Sequence, residues 1–94
     1  MQVAIIRGKV FVKTDFEIFE IKGDLKYFSH AEVEVQKLTL RYVTDSGIAQ
    51  ETISFKSMAS AKAALVAVYD LLSHISEFTN SALLQLVPTE HAKN

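Results

Sequence analysis

Two short stretches of the 94-residue chain carry side chains whose types and spacing suit chemistry or recognition. In RGKVFVK, residues 7 to 13, a backbone extended throughout places Arg7, Lys9, Phe11 and Lys13 on one face and Val10 and Val12 on the other. Cations flanking a ring suit single-stranded nucleic acid, because the cations neutralise phosphates while the ring stacks on a base. An outer strand guarded by lysines produces the same stripe, since edge charges hinder strand-to-strand aggregation. In the second stretch, carboxylates recur at Glu17 and Glu20 and at Glu32 and Glu34. The latter pair shares one strand face, but its alternation with Val33 and Val35 reads as a solvated outer face rather than a buried acid pair.

The remaining reactive types do not gather. His30, His74 and His91 fall before a strand, on a helix and in a tail, and none has a partner at metal-ligand spacing. There is no cysteine, which removes thiolate metal sites, Cys nucleophiles and disulfides. Three glycines leave little room for a phosphate cradle, and no G-x-S-x-G elbow, P-loop or dinucleotide fingerprint occurs. The expectation is a protein that is not an enzyme and has no cofactor and no metal.

Arg7-Gly8 followed by Phe11-Val12 resembles half of the RNA-recognition-motif signature. Lys9 and Val10 depart from it where an aromatic and a small residue belong, and the βαββαβ order of that family is missing. A net charge of −1 gives no global pull toward nucleic acid or anionic lipid, so any charged partner must be recognised locally.

The elements that must position these residues follow from patterning. Residues 1 to 56 are rich in Val, Ile, Phe, Thr and Tyr, with turn signals at Gly8, at Lys22-Gly23-Asp24 and at Asp45-Ser46-Gly47. KLTLRYV, residues 37 to 43, alternates Leu38, Leu40 and Tyr42 inward, and ETISF returns with Ile53 and Phe55 in phase, the clearest hairpin of the chain. Val33 and Val35 are odd-numbered while the next apolar set is even, and Phe16 and Ile18 are even while Phe19 and Ile21 are odd. Both phase slips predict a bulge or a sharp bend in a strongly curved sheet.

From residue 57 the period changes to that of a helix, with Ser57 or Ser60 able to cap it. Met58, Ala61, Leu65, Val68, Leu72 and Ile75, widened by Ala64, Leu71 and Phe78, predict the core face of a helix over about 58–78. The opposite strip holds Ala59, Ala63 and Ala67 at one-turn spacing, with Val66, Asp70 and His74. Small residues spaced so allow another backbone close, and charge is scarce there as in interface cores. Alanine is also a common residue of solvated helices. A two-fold homodimer is the simplest way to cover such a strip.

The expected fold is α+β: a curved, mostly antiparallel five- or six-stranded sheet packed against one long C-terminal helix, in a single domain 1–94. A short final strand or turn over about 82–87 and a tail 89–94 complete it. The order of meander, hairpin and capped helix resembles pleckstrin-homology-like domains and also single-strand DNA-binding folds that end in a helix. With 49% hydrophobic and 22% charged residues the chain can support a packed core. The apolar run near the N-terminus is too short for a membrane span or a signal core, so a soluble cytoplasmic protein is expected. The leading expectation is a non-enzymatic interaction module that pairs with itself and with an unidentified protein. The alternatives are a single-stranded nucleic-acid binder using residues 7–13, and a small-molecule binder with its ligand between sheet and helix.

Overall fold

The computed structural model describes residues 1–75. Six strands run through β1 (Gln2–Ile6), β2 (Lys9–Lys13), β3 (Ile18–Ile21), β4 (Phe28–Glu34), β5 (Lys37–Thr44) and β6 (Gly47–Ser54). A 3-10 turn, Leu25–Tyr27, precedes β4, and a helix α1, Met58–Ile75, follows β6. The fold is α+β and all pairing is antiparallel, but the strands form two three-stranded sheets, β1-β2-β3 and β4-β5-β6, rather than one of five or six. We call these sheet 1 and sheet 2. The sequence segments 76–78, 82–87 and 89–94, with Phe78 and His91, lie outside the described residues.

Turn chemistry explains why the first phase slip is a full reversal of the chain rather than a bulge. Val33 pairs with Leu38 and Glu34 with Lys37, so AEVEVQ and KLTL are the two arms of a hairpin reversed at Val35 and Gln36. Val35 takes φ +57° there, a left-handed conformation that costs a β-branched residue strain and gives little warning in the sequence. The second slip separates two faces: Phe19 and Ile21 are buried, whereas Phe16 and Ile18 are exposed. The one irregularity in the described ladders falls between Phe28 and His30. Arg7 and Gly8, at φ +54° and +81°, make the tight reversal between β1 and β2, so Arg7 sits in a turn and not in the strand with Lys9.

Sheet 1 contributes Val3, Val12, Phe19 and Ile21 to the core, and sheet 2 contributes Leu38, Leu40 and Tyr42, with Phe55 just beyond β6. Phe19 and Phe55 meet edge to face at 5.3 Å, joining the two sheets. The helix adds Ala61, Ala64, Ala67, Val68 and Leu71. Ser57 caps it, its Oγ accepting the Ser60 amide at 3.0 Å.

The buried stripe of the helix is turned relative to the expected one. Met58 is 49% exposed and Leu65 and Leu72 only half-buried, while Ser60 and Ala67 are buried. Two contacts account for the turn. Ser60 Oγ donates to the Glu17 carboxylate at 2.6 Å, pulling the first turn toward sheet 1. Tyr69 Oη accepts the Ala31 amide of β4 at 3.0 Å and its ring meets Phe28 edge to face, fixing the other side of the helix on sheet 2.

Candidate binding surfaces

The strand alternation gives each sheet one inward and one outward face. On sheet 1 the outward set is Gln2, Ala4 and Ile6 of β1, Lys9, Phe11 and Lys13 of β2, and Ile18 and Glu20 of β3; cross-strand pairing sets Ala4 beside Phe11, and Phe11 beside Glu20. Ile6 is 55% exposed and Ile18 63%, with Phe16 of the β2–β3 turn at 57%. A shallow apolar depression of about 380 Å³ runs over Ala4, Ile6, Phe11 and Ile18. Lys9, Phe11 and Lys13 therefore share one face; Arg7 belongs to the adjoining turn.

Sheet 2 presents the opposite surface. Arg41 pairs with the Glu32 carboxylate at 3.1 Å, lies 3.3 Å from the His30 ring nitrogen and donates to Gln50 at 3.4 Å. Thr39 and Thr52 join hydroxyls at 3.2 Å across β5 and β6. Glu34 stands opposite Lys37. These side chains satisfy one another across the middle of the sheet, while Val43 and Ile48 at one hairpin end and Val35 in the β4–β5 turn leave apolar surface open.

The helix strip divides. Ala59, Val66, Asp70 and His74 are exposed, Ala63 is half-buried, and Ala67, 5% exposed, belongs to the core. Ala67 therefore leaves the outward strip, because the helix is turned to bring it over the sheet. Val66, 67% exposed, is the large apolar side chain of what remains. Asp70 and His74, one turn apart at 3.9 Å, are both half-exposed, a pair of little energetic weight.

Two carboxylates tie sheet 1 to the rest of the molecule. Glu17, in the β2–β3 turn, accepts the Lys56 amide at 2.8 Å and the Ser60 hydroxyl. The Lys56 amide, then the Ser60 hydroxyl, favour its charged form and hold its carboxyl below the usual range. The turn is pre-shaped by Thr14, whose Oγ1 accepts the Glu17 amide at 3.2 Å. Glu51, on β6, accepts the amides of Lys22 at 3.0 Å and Gly23 at 2.9 Å, and the hydroxyl of Tyr42. Burial first, and the Glu51 carboxylate second, push the Tyr42 hydroxyl well above its ordinary range. Gly23 lies so close to the Tyr42 ring that a Cβ there would overlap it.

This joint was the feature missed in the sequence. Its signal is phase: Glu51 shares parity with Ile53 and Phe55, so ETISF puts a carboxylate on the inward face. Both perturbed groups are thus engaged in structural hydrogen bonds. Among the described residues no three His, Asp or Glu side chains gather as a metal site, and no helix is long and apolar enough to cross a membrane. The space between sheet and helix is occupied by side chains, Leu38, Leu40, Ala61, Ala64 and Val68 all being fully buried there. Comparison with known protein families, with curated proteins and with solved structures finds no match.

Proposed function

We propose that the chain is a non-enzymatic interaction module that works by binding protein, and that it pairs with a second copy of itself through the outer face of sheet 1. The observation that carries this reading is the exposure of Ile6 and Ile18 beside Phe11 on that face. Solvent-facing strands normally carry polar side chains, and an apolar cluster rimmed by charge is the anatomy of an interface. The rim is also self-complementary. Lys9 and Lys13 share the face with Glu20, so a two-fold arrangement sets lysines of one copy against the glutamate of the other. The helix strip supports pairing less well, since Ala67 is buried in the core and Tyr69, the ring nearest Val66 along the helix, is held against Ala31 and Phe28.

Sedimentation at micromolar concentration tests the reading. The unmodified chain is expected to self-associate, the double variant Ile6→Lys/Ile18→Lys to run as a monomer, and Val66→Glu to behave as the parent. A parent chain that stays monomeric at every concentration overturns it.

A second reading rests on the same face. Lys9, Phe11 and Lys13 are presented together by β2, the arrangement a single-stranded nucleic acid needs. Glu20 beside Phe11 opposes it. Retention of an oligonucleotide that falls with salt and with Lys9→Glu would favour nucleic acid over protein.

A further inference from the structure

The two sheets meet along β3 and β6, and that meeting line is unfinished. Glu17 reaches Lys56 at one end and Glu51 reaches Lys22 at the other, so the two strands lie side by side and run in opposite directions. Among the described residues no backbone hydrogen bond crosses between them. A gap spanned at each end by a glutamate side chain is wider than the ~4.8 Å of a paired ladder. Between the two bridges lies a cleft of about 420 Å³, lined by Ile18, Phe19, Glu20, Thr52, Ile53 and Ser54 among others.

Register shows which backbone groups face that cleft. The Thr14 amide bonds the Glu17 carbonyl, so in the antiparallel alternation Phe19 and Ile21 bond β2 while Ile18, Glu20 and Lys22 turn their N–H and C=O away from it. The Phe55 amide bonds the Gln36 carbonyl, so Ile53 and Glu51 bond β5 while Thr52, Ser54 and Lys56 turn outward. The bridges confirm both assignments independently. The two end amides predicted to face the gap, Lys22 and Lys56, are the ones the carboxylates capture. A glutamate oxygen thus sits at each end where the carbonyl of an intervening strand would lie.

We propose that this seam is an acceptor slot for one extended peptide segment of a partner protein. β3 is four residues long, about 13 Å, so the slot holds about four residues of guest strand. Flanked by strands of opposite direction, the guest is antiparallel to one and parallel to the other, drawing on Ile18 and Glu20 on one side and Thr52 and Ser54 on the other. Its alternate side chains face the Phe19–Phe55 pair within and Glu20, Lys22 and Thr52 without, which selects alternating apolar and polar residues. A second folded copy offers strands already held in its own sheets, whereas a free extended segment can enter between two edges. The slot draws on the β6-facing backbone of Ile18 and Glu20, whose side chains also border the outer face of sheet 1, but it does not involve β1 or β2 and does not rest on the chain pairing with itself.

The test is selection from a phage-displayed library of random dodecapeptides on the full chain, followed by amide hydrogen exchange with a selected synthetic peptide. The expected result is a set of peptides with alternating apolar positions that slow exchange at Ile18, Glu20, Thr52 and Ser54. Thr52→Pro removes one cleft-facing amide that β5 does not use, and is expected to weaken binding roughly five- to tenfold with the fold retained. Should that variant fail to fold, the exchange map of the unmodified chain decides. Protection confined to β1 and β2, with Thr52 and Ser54 exchanging as in the free chain, overturns the slot while leaving the interaction reading intact. Failure of the library to enrich, or a slot already protected by a segment of the chain itself, overturns it as well.

Discussion

Sheets 1 and 2 have the same strand count and the same antiparallel pairing, yet their outer faces differ in kind. Sheet 2 covers the middle of its outer surface with cross-strand partners, Arg41 with Glu32 and Gln50 and Thr39 with Thr52, and leaves Val43 and Ile48 open at the hairpin end. Sheet 1 leaves Ile6, Phe11 and Ile18 without such partners. A face whose polar groups satisfy one another gains little from being covered, because covering it strips water from groups already paired. An apolar face gains roughly 25 cal/mol for each Å² removed from water. The contrast is what the proposed binding through sheet 1 rests on, and it holds only if the joint between the sheets keeps the two faces apart.

That joint supplies the largest expected effect. Gly23 is packed against the Tyr42 ring, and its amide serves Glu51. Gly23→Ala forces the ring or the loop aside and is expected to cost about 1–3 kcal/mol in urea denaturation. A cost below about 0.5 kcal/mol would mean that the sheets are not locked at this point. Overpacking, rather than conformational freedom, is the reason for glycine here, since its φ is not in the left-handed region.

The joint also imprints a pH dependence of smaller reach. Tyr42 holds its proton more tightly folded than unfolded, so its contribution is fully present below the ordinary tyrosine value of 10.0 and is lost as pH rises above it. Glu17 has the opposite sign. Its carboxyl is held below the ordinary value of 4.5, so its contribution is present above that value and fades as pH falls beneath it. Stability measured against pH should therefore decline at both extremes. Tyr42→Phe should flatten the alkaline side and Glu17→Gln the acid side; an unchanged alkaline limb in Tyr42→Phe would show that the hydroxyl is not buried on Glu51.

How much of this was legible depended on how directly local pattern maps onto geometry. The β5–β6 hairpin was plain, because strict alternation and an Asp-Ser-Gly turn agree. The Val35–Gln36 reversal was not, because a β-branched residue in a left-handed conformation contradicts the turn preferences that sequence reading relies on. On the helix the period was readable but its rotation was not. Alanine suits core and solvent alike, so Ala67 and Ala59 look identical until Ser60 and Tyr69 find partners on the sheets. The apolar outer face of sheet 1 shows in the sequence as a phase slip, Phe16 and Ile18 against Phe19 and Ile21, which suggests a bulge or a sharp bend because apolar residues are expected inside.

The smallest effect on stability is the sharpest test of the contrast between faces. Arg41→Ala removes the ion pair with Glu32 and the contact with Gln50 on sheet 2. Exposed pairs of this sort are worth about 0.2–1 kcal/mol, so a small but measurable loss is expected. Ile6→Lys/Ile18→Lys on sheet 1 removes no hydrogen bond, and both side chains are more than half exposed. It should leave denaturation of the monomer within about 0.5 kcal/mol of the parent. The association constants should order the other way, with Arg41→Ala neutral and the isoleucine double variant severe. If instead the double variant unfolds the monomer and Arg41→Ala weakens association, then the isoleucines are structural, the polar ladder is the contact surface, and the assignment of faces is reversed.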